Sequence, residues 1–231
     1  MNIKKFTYQL FYIASFFVLL VVVFANELLI YFKPPVIISL CLLYVVNSEH
    51  NNYLVVLSLL LILVCEVLFF KDYRGNFKTV NILLSLYYLF NIILLWKSLQ
   101  IIKIRFKKVF TVQLLISMAL IGYVLYSVVE LIKPQIREQS SFLAMLIVSF
   151  TAFIGVCYYI YLNSKTVVSY SLMVAASCFL ISNIVTALNR FYIYLDVFTV
   201  ITTVVQIFGQ FFLIKFFIEQ HELTPNEDDY F

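Results

Sequence analysis

Long apolar runs, separated by short polar stretches, make up almost the whole chain. A helix that crosses a membrane needs about 20 predominantly apolar residues, and most of the runs approach that length. The pattern predicts eight membrane helices, at residues 6–25, 33–46, 53–70, 80–95, 110–132, 142–162, 167–187 and 197–218. The predicted fold class is all-α, a single polytopic helix bundle over residues 1–218. An acidic tail, 219–231, is expected to be disordered.

Polar residues and prolines between the runs predict where helices begin. Lys33-Pro34-Pro35 predicts the start of the second helix, because proline suits the first helical turn. The first run is long for the hydrophobic region of a secretory signal, so we expect it to remain as a membrane helix. Val23-Phe24-Ala25 would nevertheless permit cleavage.

Glycine and proline are scarce, which indicates continuous helices. The chain has four of each, and no internal repeat is evident. Transporters commonly contain broken helices at matching positions of two halves. A small transporter or channel is therefore the least favoured interpretation.

Composition places the chain among membrane proteins. Hydrophobic residues make up 64% of it and charged residues 12%, whereas soluble domains average about 45–50% and 25%. An ordinary globular enzyme, a disordered protein and a nucleic-acid binder are thereby excluded. The net charge of +4 fits contact with anionic headgroups, so membrane lipids are the expected partners. The four cysteines lie singly in apolar runs and the two histidines in polar segments, so neither a disulfide nor a metal or organic cofactor is expected.

Basic residues indicate an orientation. Eight spans place both termini on one side of the membrane. The most basic connection, which contains Lys103, Arg105, Lys107 and Lys108, follows Trp96. Cytoplasmic loops carry an excess of Lys and Arg, so we expect this connection and the N-terminus to lie on the inner side.

Polar residues recur at helical spacing within three predicted helices and are expected to face one another across the bundle. They are Asn81, Ser85 and Tyr88 in the fourth helix, Asn183, Thr186 and Arg190 in the seventh, and Thr199, Thr203, Gln206 and Gln210 in the eighth. The eighth-helix stripe is either a seam of interhelical hydrogen bonds or part of a site. Arg190, at the end of its helix, is expected near the lipid headgroups.

Glu66 is the most informative single residue. It lies inside the apolar run Leu63-Val64-Cys65-Glu66-Val67-Leu68. An ionisable residue within a membrane helix marks a functional site by default. The alternative is a position near the membrane interface, paired with Lys71 or Arg74.

Four segments, in this order, resemble the YhhN family of polytopic membrane proteins, which includes the lysoplasmalogenases. Lys33-Pro34 is similar to a Lys-Pro pair at the start of the family's second helix, and Cys65-Glu66-Val67-Leu68 stands in the place of a Gly-Asp-x-x-Leu pattern. Two further segments are similar to Phe-x-x-Ser-Asp-x-x-x-Ala-x-x-x-Phe and to Tyr-x-x-Ala-Gln. They are Phe179-Leu180-Ile181-Ser182-Asn183 with Ala187 and Phe191, and Gly209-Gln210.

This resemblance implies an eight-helix fold in a bacterial plasma membrane and hydrolysis of the vinyl ether bond of lysoplasmalogens. In that reaction a carbon of the double bond is protonated, and water adds to the resulting oxocarbenium ion. Two carboxyls suit the work, one as proton donor and one to stabilise the ion or activate water. The chain departs from the family at both positions, since Glu66 has a longer side chain and Asn183 is an amide.

Two functional hypotheses follow. In the first, the protein is a hydrolase in which Glu66 is the acid and base, while Asn183 and Gln210 orient water or the substrate oxygen. Lys33, Arg190 and Gln206 would bind the substrate. In the second, the protein is a catalytically degenerate relative that binds lipid or a protein partner. The first hypothesis predicts that Glu66, Asn183 and Gln210 converge on one cavity, and side chains more than about 12 Å apart would exclude it.

Overall fold

Long helices account for nearly all of the structure. The computed structural model describes residues 3–49, 51–73, 75–101, 112–132 and 140–223. No strand occurs within these ranges, and the all-α prediction is confirmed. The helices are α1 (Ile3–Phe24), α2 (Leu29–Asn47), α3 (Tyr53–Asp72), α4 (Phe77–Ile101), α5 (Val112–Ile132), α6 (Ser140–Ser164), α7 (Val167–Phe191) and α8 (Asp196–Glu219).

Seven of the described helices, α1 to α4 and α6 to α8, are long and apolar enough to cross a membrane. The span that contains α2 begins slightly earlier, at the 3-10 helix Asn26–Leu28. In α5, the stretch Ala119–Ile132 is a shorter apolar helical segment. Helices of this length and composition make the chain a multi-pass membrane protein.

Helix α2 begins before its prolines. It starts at Leu29, so Pro34 and Pro35 lie inside it, and the prediction that these prolines open the helix is wrong. Each proline lacks the N–H that would bond to a carbonyl one turn earlier. Interior prolines are tolerated in membrane helices because neighbouring groups replace the lost hydrogen bonds. The earlier start places Lys33 inside the helix, where its side chain is buried.

Helix α8 packs against three other helices of the bundle. It packs most extensively against α7, and it also contacts α1 and α2. Gly209 permits the close approach to α7, because a Cβ at this position would lie 3.0 Å from Cys178 Cβ. On the other side of the bundle, α4 packs against α3 and α6, while α5 packs chiefly against α7.

The segment predicted to be a disordered tail begins as ordered structure. Helix α8 ends at Glu219, a 3-10 turn follows at Gln220–Glu222, and Leu223 is buried against the core. Residues 224–231 lie outside the described residues. The basic connection at 103–108, on which the predicted orientation depends, also lies outside them.

Candidate functional site

A buried ion pair joins α2 to α3. Lys33 Nζ lies 3.0 Å from Glu66 Oε2, and both side chains are only 8% exposed. Gln206 of α8 completes the group. Its carbonyl oxygen accepts a 2.9 Å hydrogen bond from Lys33, and its amide nitrogen donates to the second carboxylate oxygen of Glu66. The ring centroid of Phe70 lies 4.8 Å from the Lys33 ammonium, a contact that stabilises a cation.

This three-residue group pairs two opposite charges inside the apolar bundle. An isolated charge within a membrane helix is costly, and such residues pair with one another in the bundle interior. Lys33 and Glu66 neutralise each other, and Gln206 bonds to both. The group thereby connects α8 to the consecutive helices α2 and α3.

A polar cavity of about 80 Å³ lies beside the ion pair. Residues of α2, α3, α4, α7 and α8 line it, in the half of the bundle where α3 ends and α4 begins. A water molecule needs about 10–15 Å³ of such space, so the cavity has room for several waters or a small polar group. The buried hydroxyl of Thr202 lines the cavity and has no hydrogen-bond partner among the described residues. Buried polar groups normally have partners, so Thr202 marks a position for water or a ligand atom.

Asn183 contributes to the opposite wall of the cavity. Its amide nitrogen donates hydrogen bonds to the Tyr88 hydroxyl, at 2.7 Å, and to the backbone carbonyl of Phe179, at 2.9 Å. The ring of Tyr88 packs against Phe150 and Phe153, with centroid distances of 5.0 and 5.4 Å. Asn183 is therefore held by a rigid aromatic neighbour on α4 and by its own helix.

Arg190 is a cation on the cavity wall held by aromatic rings. Its guanidinium carbon lies 4.6 Å from the centroid of Phe69 and 5.9 Å from that of Tyr73. Burial raises the pKa of the Tyr73 phenol, and the positive charge of Arg190 opposes the shift. No carboxylate of the described residues forms a salt bridge with Arg190. Its charge is thus available to an anionic ligand.

The short connection between α7 and α8 is fixed by Asn189. Its amide oxygen accepts a 2.8 Å hydrogen bond from the backbone nitrogen of Leu195, and its amide nitrogen donates to Thr199 at 3.1 Å. The polar stripes of α7 and α8 consequently face each other across the cavity.

Five of the six residues proposed from the sequence line this cavity. They are Lys33, Glu66, Asn183, Arg190 and Gln206. Gln210 does not, because it lies one turn further along α8 and lines a separate cavity of about 10 Å³. Lys33, Glu66 and Gln206 also line that smaller space and separate the two. The expectation that Glu66, Asn183 and Gln210 line one cavity is therefore wrong for Gln210, and Gln206 is the amide of α8 that bonds to Glu66 beside the larger cavity.

The pairing of Lys33 with Glu66 was not anticipated, since Lys71 and Arg74 were the partners considered. Residue 74 lies outside the described residues. Two sequence features could have indicated the pairing: α2 and α3 are consecutive and antiparallel, and the opposite charges lie near the start of one and the end of the other. The i, i+4 spacing of Phe69 and Tyr73 could similarly have indicated an aromatic surface for a cation.

Comparisons of the chain with models of protein families, with curated proteins and with solved structures give no match. Among the described residues, no three histidine, cysteine or acidic side chains come together as a metal site would require. The site is therefore interpreted from its own chemistry.

Proposed function

We propose that this protein is a lipid hydrolase that acts within a bacterial plasma membrane and cleaves the vinyl ether bond of lysoplasmalogens. This is the activity that the resemblance to the YhhN family implies. The observation that carries the proposal is the presence of Glu66, Asn183 and Arg190 around one polar cavity inside a membrane helix bundle. The acid suits the reacting bond and the amide suits a water molecule. The cation, which forms no salt bridge with a carboxylate of the described residues, suits a phosphate.

The reaction needs one proton and one water molecule. A proton adds to the vinyl ether carbon that is not bonded to oxygen, and the positive charge is then shared between the other carbon and the oxygen. Water adds to that carbon and loses a proton, giving a hemiacetal. The hemiacetal collapses to a fatty aldehyde and the glycerophospho alcohol, so the proton is returned and one water is consumed.

Glu66 and Lys33 share the proton that this chemistry uses. In the ion-paired form the proton is on Lys33, 3.0 Å from the carboxylate, and its transfer to Glu66 gives a carboxylic acid and a neutral amine. Glu66 then protonates the substrate carbon, and the regenerated carboxylate stabilises the oxocarbenium ion and accepts a proton from water. Gln206 orients the carboxyl throughout, because it bonds to the second oxygen.

Asn183 and Arg190 bind the polar parts of the substrate. The amide nitrogen of Asn183 donates to Tyr88 and to Phe179, so its amide oxygen accepts a hydrogen bond from the attacking water and orients it. Arg190 binds the phosphate of the headgroup through charge-assisted hydrogen bonds. Phe69 and Tyr73 position its guanidinium in the absence of an acidic partner.

The test is a product assay on purified protein in lipid nanodiscs. Vinyl ether and ester lysophospholipids are supplied separately, and aldehyde and fatty acid are quantified by mass spectrometry. We expect aldehyde from the vinyl ether substrate and at least about a hundredfold less from Glu66→Gln. Release should be unchanged in the matched variant Glu27→Gln, whose acid is exposed in the 3-10 helix that precedes α2. Equal aldehyde release from Glu66→Gln and wild type would remove Glu66 from the mechanism.

A second candidate is a lipid-binding protein without hydrolase activity. Asn183 favours it, because an amide stands where the family resemblance calls for the second carboxyl. In the same assay this candidate predicts saturable binding of the lysolipid with no aldehyde from any substrate.

A further inference from the structure

A second cavity adjoins the polar one. It has a volume of about 90 Å³, and it shares Phe69, Leu84, Asn183 and Thr186 with the wall of the polar cavity. The two spaces therefore lie on either side of a common partition inside the bundle. None of the roles assigned above uses the second cavity.

Apolar side chains make up most of the lining of the second cavity, which also includes Tyr73, Asn81, Asn183 and Thr186. Four residues of α5, at i, i+3, i+4 and i+7, line one side of it. They are Leu125, Val128, Val129 and Ile132. Across the cavity lie apolar side chains of α6, among them Leu143, Leu146 and Phe150.

The second cavity exists because α5 packs against α7 and leaves a space between itself and α6. An apolar helix face normally packs directly against a neighbouring helix. Helix α5 packs chiefly against α7, so the face that bears Val128 borders a space that α6 leaves unfilled. Such apolar cavities exclude water and accept hydrocarbon ligands.

We propose that this second cavity binds the hydrocarbon chain of a single-chain amphiphile whose polar end lies in the first cavity. The proposal rests on the function proposed above for the position of the reacting bond, which would lie at the shared partition beside Asn183. The cation that lines the polar cavity beside Phe69, Arg190, identifies the polar end as anionic or phosphate-bearing.

The dimensions favour one chain. An apolar cavity of about 150 Å³ accepts one benzene molecule, so 90 Å³ holds a few methylenes of one chain. The remainder of the chain extends from the cavity toward the surrounding lipid. A phospholipid with two chains would need a further apolar space for its second chain, whereas this cavity takes one.

Photocrosslinking tests this inference independently of catalysis. The probe is a non-hydrolysable alkyl ether lysophosphocholine with a diazirine near the headgroup end of its chain, applied to the full-length protein in nanodiscs. Adducts are mapped by mass spectrometry, and unlabelled alkyl lysophosphocholine and diacyl phosphatidylcholine serve as competitors. The key variant is Val128→Phe, which fills the cavity. Its matched control is Val124→Phe, one turn earlier on α5 at a side chain that is 41% exposed.

We expect saturable adducts at 125–132 and 184–187, displaced by the unlabelled single-chain lipid. Val128→Phe should weaken labelling about tenfold, the change that corresponds to about two methylenes losing their burial, whereas Val124→Phe should change it less than twofold. Adducts confined to the exposed faces of the helices, or equal labelling of both variants, would overturn the inference. Equal competition by the diacyl lipid would overturn the single-chain specificity. Specific labelling without aldehyde release would sustain this inference while refuting the proposed hydrolysis.

Discussion

Removal of either partner of the Lys33–Glu66 ion pair should destabilise the bundle, and removal of both should not. At 3.0 Å and an effective dielectric constant of about 20, the attraction between the two charges is about 5–6 kcal/mol. Desolvation offsets much of this. Breaking a buried pair by deleting one partner nevertheless costs about 3–5 kcal/mol, because a charge is left unpaired. Gln206 remains beside the surviving charge, so we expect the lower end, about 3 kcal/mol, for Glu66→Gln and for Lys33→Met.

The double variant decides whether this reasoning is correct. With both charges absent, no unpaired charge remains in the bundle, so its free energy of unfolding should lie within about 1 kcal/mol of wild type. The coupling energy between the two substitutions would then be about 5 kcal/mol, the sum of the single losses less that of the double variant. Glu27→Gln, at an exposed acid, is the matched control and should change stability by less than about 0.5 kcal/mol.

The measurement is reversible unfolding by sodium dodecyl sulfate in bicelles, followed by circular dichroism for the four proteins and wild type. A double variant destabilised by the sum of the two single losses, within about 0.5 kcal/mol, would show that the charges do not interact. The ion pair would then have no role in holding α2 to α3.

Three further predictions concern other parts of the structure. Gly209→Ala should lower the free energy of unfolding by about 1–3 kcal/mol, because its Cβ would press on Cys178. Gly122→Ala, whose Cβ would meet no atom within 4 Å, should raise the free energy of unfolding by up to about 1 kcal/mol. The same unfolding assay measures both. Arg190→Gln should raise KM for a phosphate-bearing lysolipid at least about tenfold without changing kcat, because the charge-assisted hydrogen bond that it removes acts in binding alone. Steady-state kinetics measure both constants, and a fall in kcat alone would contradict this prediction. Asn183→Asp should increase aldehyde release at least about tenfold, since a positioned second carboxyl supplies acid–base catalysis; unchanged or lower release would mean that position 183 does not act on the reacting bond.

Hydrophobic length and helical spacing were enough to predict the fold class and the faces of the helices. Eight described helices follow the predicted apolar runs, although seven rather than eight are long and apolar enough to cross a membrane. The polar stripe of α7 and three residues of the α8 stripe, Thr199, Thr203 and Gln206, line the same cavity. These features depend on local sequence alone, because an apolar run of sufficient length has few alternatives to a membrane helix. Local rules were less successful at helix ends, where Pro34 and Pro35 proved to be interior.

The contacts between distant helices could not be predicted in the same way. Gln206 and Gln210 lie on one face of α8, yet only Gln206 reaches the polar cavity. The difference is set by the depth at which α8 meets α2 and α3, which depends on the packing of all three helices. The apolar cavity beside α5 was likewise invisible in the sequence, because an apolar face that borders a cavity has the same composition as one that borders a helix.

The ion pair also bears on how the chain enters the bilayer during synthesis. Charged residues within an inserting helix oppose its insertion, and Lys33 of α2 and Glu66 of α3 carry opposite charges that lie 3.0 Å apart in the assembled protein. If the two segments leave the translocon together as a hairpin, each supplies the counterion of the other. Insertion as a hairpin would therefore allow Lys33 and Glu66 to pair before either helix is surrounded by lipid.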